Sequence, residues 1–361
     1  MKKYKKLIGG FIVLLILILI IGLNNNDKPE DTIKIGVISS LTGLMVGGDN
    51  WGQGFANGFL LAHEEYTKAN PNKKVEIIIE DDGYDSKKGI SAYQKLISVD
   101  KVNSIVNLSS LTIDVTKDLL IKEDIPVIQV FAESEILEDN IYQIYPDQTA
   151  IGILGQVANQ DGAKKVLIAH PQIKAYSKFI SDFDSKYEGE LIIESFNPTD
   201  KNMSSVALKI KEINPDALVV FMGPVEGSQL VKELKNLNYK PKNAYFDISL
   251  QFGLSDYTNA LGSLEFMNGF KGLYLMTSNS KEFEAKYEKR FGEKASPVTG
   301  LGYDSYMAMV TNYDVDTAKW RKNMNSYKIM GASGEISFSP EGLRPPKWSI
   351  ASIENGELIV K

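Results

Sequence analysis

Side chains able to do covalent or metal chemistry are scarce in this chain. It has two histidines, His63 and His170, and no cysteine. Neither histidine has a neighbour at metal-ligand spacing or a partner for proton relay, so both read as structural residues. The missing cysteine excludes disulfides, thiolate metal sites, cysteine nucleophiles and a lipid-bearing cysteine. The glycines of GQGFANG (52–58) miss the dinucleotide fingerprint, because Asn57 stands where the third glycine belongs. No Walker A motif occurs, so nothing cradles a nucleotide's phosphates. Glu80, Asp81, Asp82 and Asp85 lack the glycine and terminal glutamate of a calcium loop; they read as a solvated turn with a helix cap at Asp85 or Ser86. Spacing singles out no catalytic pair among the 46 acidic residues, and no cofactor is implied.

What remains is a set of polar and aromatic residues placed just after strand-like runs. In parallel sheets the ligand crevice lies beyond the carboxyl ends of the strands, where helix N-termini offer unpaired N–H groups to anions. Ser39, Ser40, Leu41, Thr42 and Gly43 follow the first such run. Ser109, Ser110 and Thr112 follow the run 104–107 and precede a helix, a placement suited either to carboxylate capture or to simple helix capping. Trp51 opens the first helix beside the crevice, facing a ligand or closing the core.

The elements that must position these residues alternate. Short β-rich runs at 33–38, 75–80, 104–107, 126–130 and 141–145 are separated by amphipathic stretches such as 51–68, and Ile90, Tyr93 and Ile97 recur at helical spacing. After Pro146 the pattern restarts, with strands at 166–169, 191–196, 217–222 and 244–247 and late helices at 280–291 and 303–313. This is an α/β pattern built on parallel sheets, and so many strands fit two sheets better than one. Pro146-Asp147 and Met276-Thr277-Ser278 are the expected points of passage between them.

The chain has 361 residues, enough for about two domains, with a formal charge of −6. Lys2, Lys3, Lys5 and Lys6 set aside, the remainder carries −10, which argues against nucleic acid as a partner. The lysine-rich end 1–6 precedes Leu7 to Leu23, a run without a polar side chain at the short end of what spans a bilayer. No alanine before Ala56 supplies a signal-peptidase site, so the segment 7–23 is expected to be an uncleaved transmembrane anchor rather than a cleaved signal, followed by a tether at 24–31. Everything from Thr32 onward would then lie outside the cytoplasm.

The order of motifs resembles the branched-chain amino acid (leucine/isoleucine/valine) binding family of type I periplasmic binding proteins, the substrate-binding proteins of ABC transporters. The resemblance runs from Ile33 to the C-terminus. It rests on IGVISSLTG (35–43) with WGQGFANGFLLA (51–62), EDDGYDSKKG (80–89) with KLISVDKVNSIV (95–106), IPVI (125–128), IYQIYPDQTAIG (141–152) and SGEISFSPEG (333–342). It implies two Rossmann-like lobes with parallel-sheet cores joined by a three-crossover hinge: lobe one at 32–147 plus 277–328, lobe two at 148–276 plus 329–361. It also implies that Trp51 packs on the ligand, that Ser109, Ser110 and Thr112 bind its carboxylate, that Tyr176 closes over it, and that Asp247 takes its ammonium. One departure stands out. QVFAES (129–134) stands where the family has small residues, so Phe131, Ala132 and Glu133 fall at the expected pocket; Phe131 would shrink it and Glu133 would bring a costly negative charge near the carboxylate, so either Glu133 points to solvent or the ligand differs from leucine.

The function implied is capture of a small molecule, such as an amino acid, an amide or a related carboxylate, and its delivery to an ABC transporter permease without chemistry. Two other readings stand beside it. A membrane-tethered sensor would share the fold but need a separate signalling chain, and an enzyme on a similar scaffold would need catalytic groups that the motifs do not supply.

Overall fold

A computed structural model describes residues 32–42, 51–131, 138–146, 151–173, 175–197, 202–275, 281–345 and 348–360. The expected anchor at Leu7–Leu23, the tether and both expected passage points after Pro146 and at 276–278 lie outside these residues. No helix among the described residues is long and apolar enough to cross a membrane.

Five parallel strands form the first sheet: β1 (Ile33–Ser39), β2 (Val75–Asp81), β3 (Ser104–Asn107), β4 (Val127–Gln129) and β5 (Ile141–Gln143), in the order β2-β1-β3-β4-β5. β1, β3, β4 and β5 are almost wholly buried because helices cover both faces. On one face Phe55 and Phe59 of the helix Trp51–Ala69 pack with Val298, Leu301 and Tyr306 of the helix Pro297–Asn312. On the other, Tyr93 and Leu96 of the helix Ser86–Ser98 pack with Ile113 and Leu120 of the helix Ser110–Glu123. Asp85 caps Ser86–Ser98 by accepting from the N–H groups of Lys87 and Lys88, the role read for this part of the acidic cluster.

The second sheet has seven strands: β6 (Lys165–Pro171), β7 (Glu190–Phe196), β8 (Ala217–Val220), β9 (Asn243–Phe246), β10 (Lys271–Leu275), β13 (Trp348–Glu354) and β14 (Glu357–Val360). Its order is β14-β13-β10-β9-β8-β6-β7, with β13 and β14 antiparallel at one edge and the others parallel. The intervening pair, β11 (Lys328–Gly331) and β12 (Gly334–Ser337), forms a hairpin. The chain leaves the first core after β5, returns to it after β10 with the helices Lys281–Phe291, Pro297–Asn312 and Thr317–Ser326, and leaves again between β12 and β13. It therefore passes between the two bodies three times. Ile336 and Phe338, on the far side of the expected 328/329 boundary, pack in the first core.

The GQGFANG glycines serve helix packing. A Cβ on Gly52 would stand 1.9 Å from the Ser40 carbonyl oxygen, and one on Gly58 would stand 1.9 Å from that of Thr299. From the facing helix, a Cβ on Gly302 would stand 2.1 Å from the Phe55 carbonyl oxygen. The helix Pro297–Asn312 starts earlier than the expected 303 because Pro297 is suited to a first turn and Gly302, a poor helix former in isolation, is required by this close approach, while Gly300 lies against Ala332 and Ser333.

Candidate functional site

The carboxyl ends of both sheets carry the polar groups. At the end of β1, Ser39 Oγ donates to the Gly52 carbonyl oxygen (2.8 Å) and Ser40 Oγ donates to Asp82 Oδ1 (2.6 Å). Asp81 accepts from the Thr42 hydroxyl (2.6 Å) and from the N–H groups of Leu41, Thr42 and Gly83. Burial pushes the Asp81 carboxyl up, but those four hydrogen bonds outweigh it and hold the group below the usual carboxylate range. The acidic turn thus fastens the β1 and β2 loops together, and among the described residues no cluster of histidine or carboxylate groups could hold a metal ion. His63 and His170 stay local: His63 Nδ1 lies 3.0 Å from Tyr306 Oη, and His170 Nδ1 lies 2.8 Å from the Pro171 carbonyl oxygen.

At the end of β3 the chain turns into Ser110–Glu123. Ser109 sits at the N-cap but makes no capping bond, and its Oγ is buried without a hydrogen-bond partner. The turn is held from beneath: Asn107 Nδ2 donates to the Ser109 carbonyl oxygen (2.8 Å) and to Gln129 Oε1 (2.7 Å), and Asn107 Oδ1 accepts from the Ser109 N–H (3.2 Å). Thr112 Oγ1 is directed back at Asn107 Oδ1 (3.4 Å) and the Ser109 carbonyl oxygen (3.3 Å), and its methyl faces Gly89. Of the three hydroxyl residues singled out, Ser109 thus has an uncommitted hydroxyl, Thr112 is tied into the turn, and Ser110 is half-buried at the first helical position. Gln129 Nε2 also donates to the Phe131 carbonyl oxygen, so the serine turn and Phe131 share one support. Ala132 and Glu133 lie outside the described residues.

Trp51 is half-buried between two aromatic rings. Phe131, from the first sheet, lies 5.8 Å away between ring centroids; Phe252, from the short helix Ser249–Phe252 after β9, lies at 4.9 Å. Tyr145 extends the group, 4.7 Å from Phe131, 6.4 Å from Phe252 and 5.8 Å from Trp348. Trp51 and Phe252 therefore meet across the junction of the two bodies.

On the second sheet Asp247 follows β9 and is 5% exposed. Burial pushes its carboxyl up to about 7, against the stabilising contacts of Ser249, whose N–H donates to Asp247 Oδ1 (2.8 Å). The hydroxyls of Tyr145, Ser249 and Tyr257 are buried without a hydrogen bond of good geometry. Burial raises the phenols of Tyr145 and Tyr176, and the Asp247 charge raises both further, which places the two phenols and the carboxyl in one neighbourhood. Tyr84, from the loop after β2, also acts on Tyr176, so the two tyrosines approach from opposite bodies.

The geometry thus brings together Trp51, Phe131 and Phe252 as one group and Asp247 and Tyr176 as another, with Tyr145 adjoining both. Sequence reasoning missed Tyr145, Ser249, Phe252 and Tyr257. Tyr145 was readable only as a strand residue, and SLQF (249–252) is too short for periodicity to announce a helix.

Two α/β lobes with parallel sheets, their strand ends facing one another, are the periplasmic-binding-protein-like architecture. The leucine-binding protein LivK from Thermotoga maritima superposes with a TM-score of 0.78 at 18% identity, over 91% of this chain and 98% of that one. The branched-chain amino acid transporter substrate-binding protein LivJ from Streptococcus pneumoniae, solved with isoleucine, gives 0.78 at 19% over 91% and 100%. An ABC transporter solute-binding protein from Rhodopseudomonas palustris, in complex with 3,4-dihydroxybenzoic acid, gives 0.79 at 22% over 92% and 97%. The sequence itself matches the family described as periplasmic binding protein over residues 32–355, and the chain belongs to that family.

Proposed function

We propose that this chain is the extracytoplasmic solute-binding component of an ABC transporter, and that it takes an amino acid or a closely related amino-bearing carboxylate between its lobes. The observation that carries the reading is Asp247, a buried carboxyl held by the Ser249 N–H, whose charge acts on the phenols of Tyr145, Tyr176 and Tyr257. A buried carboxylate is costly alone and favourable opposite a cation. A ligand ammonium at Asp247, with its carboxylate at the uncommitted Ser109 hydroxyl and the Ser110 N–H, satisfies groups on both lobes at once. Contacts with both lobes exist only when these are together, so ligand favours the closed arrangement. Trp51, Phe131 and Tyr176 form the walls.

The three passages of the chain between the lobes act as the hinge. The apolar run Leu7–Leu23 holds the lobes at the membrane, where the permease receives the ligand. No residue is assigned a catalytic role. A thermal-shift screen of the purified protein against amino acids, amides, aromatic acids and short peptides tests the reading. A free amino acid raises the melting temperature if it is right, because ligand binds the folded form alone. A rise with aromatic acids and none with amino acids sinks it, and turnover of a hit would make the protein an enzyme.

A further inference from the structure

We infer that Phe252 sets the size limit of the ligand's side chain, restricting the site to small amino acids. The inference rests on the reading of the cleft just given. Phe252 is 1% exposed and presses on Trp51 at 4.9 Å from the opposite lobe, while Phe131 occupies the first lobe's side of the same indole. Two rings thus flank Trp51, the wall that the proposed reading gives to the ligand's side chain. The backbone turn that carries Phe252 is held in place. Phe252 ends a single helical turn whose other end carries Ser249, bonded to Asp247. Between them Gln251 is clamped to β10, accepting from the Leu275 N–H (2.8 Å) and donating to the Leu275 carbonyl oxygen (3.3 Å). The turn cannot swing Phe252 aside without breaking the Gln251 clamp or moving Asp247, so the acid that holds the ammonium and the ring that limits the side chain are one unit. Closely packed sites discriminate by size when neighbours cannot yield.

The test measures affinity for glycine, alanine, leucine and phenylalanine, and for the matching carboxylates without the amino group, in the wild-type protein, Phe252→Leu and Phe252→Ala. The leucine variant keeps the site filled should the alanine variant fail to fold, which circular dichroism reports. The wild type prefers glycine or alanine. The ratio of affinities, large over small, rises at least tenfold in Phe252→Ala, with Phe252→Leu between. An unchanged ratio in both variants, or a wild type that prefers leucine or phenylalanine, overturns the role of Phe252. Size ranking confined to the carboxylates keeps the role of Phe252 and overturns the amino-acid reading. Binding of neither series overturns both.

Discussion

Asp247 is the residue whose chemistry is most exposed to measurement. Its carboxyl is raised from the ordinary 3.8 to about 7, so between those values the folded chain holds a proton that the unfolded chain has released. The contribution of this group to stability therefore falls as pH rises through that window, and a bound ammonium reverses the penalty. Affinity for an amino acid should drop about tenfold per pH unit below about 7, with release of close to one proton per ligand. Calorimetry in buffers of different ionisation enthalpy reads both, and pH-independent affinity between 5 and 8 would separate Asp247 from the ligand. Ser109 gives the complementary case. Its Oγ has no partner to lose, so Ser109→Ala should leave the melting temperature nearly unchanged while weakening binding by roughly 10- to 100-fold, the worth of a hydrogen bond to a charged group. The sequence showed the position of both residues after strands. It could not show which hydroxyl is spare, because the bonds that occupy Thr112 come from Asn107 and from the Ser109 carbonyl oxygen, and only folding brings them into range.

Strands and helices were read where hydrophobic periodicity is strong, as in β1, β2 and the helix Trp51–Ala69. The hairpin β11–β12, the strand β13 and the edge strand β14 went unread, because these partly exposed strands carry mixed polarity and depend on pairing rather than pattern. The buried strut that ties this hairpin to the lobe was equally hidden. Asp304 accepts from the Ala332 N–H (2.8 Å), the Ser333 N–H (2.6 Å) and the Ser333 hydroxyl (2.5 Å), which in turn accepts from Arg344 Nη1 (2.9 Å). Arg344 also donates to the carbonyl oxygens of Ile144 (3.1 Å), Ser333 (2.7 Å) and Glu335 (3.0 Å), joining two of the crossing segments. Burial pushes the Asp304 carboxyl up and brings the guanidinium down to about 10, yet the two charges support each other through Ser333. Arg344→Met should destabilise by about 3–5 kcal/mol in a denaturant titration, since Asp304 keeps a buried charge without its counterion. A loss below about 1 kcal/mol would mean the strut is dispensable. Gly302→Ala should also destabilise, by forcing its helix from the one bearing Phe55, and that contact has no slack to relax into.

At the scale of the whole chain, two bodies and three passages between them give a molecule whose proposed site lies where both meet. The two-sheet organisation was legible because strand runs and helices restart after Pro146. The aromatic contact across the junction was not, since Trp51 and Phe252 are brought together by lobe packing that no local pattern encodes. A site divided in this way makes a specific demand: removing one wall should be as damaging as removing the other. The direct test is calorimetric titration of the best amino acid from the thermal screen into the wild type, Trp51→Ala and Asp247→Asn, one substitution on each lobe. Capture between the lobes predicts that both variants lose at least tenfold in affinity while remaining folded. Wild-type affinity in either variant would contradict it, by leaving one lobe outside the site.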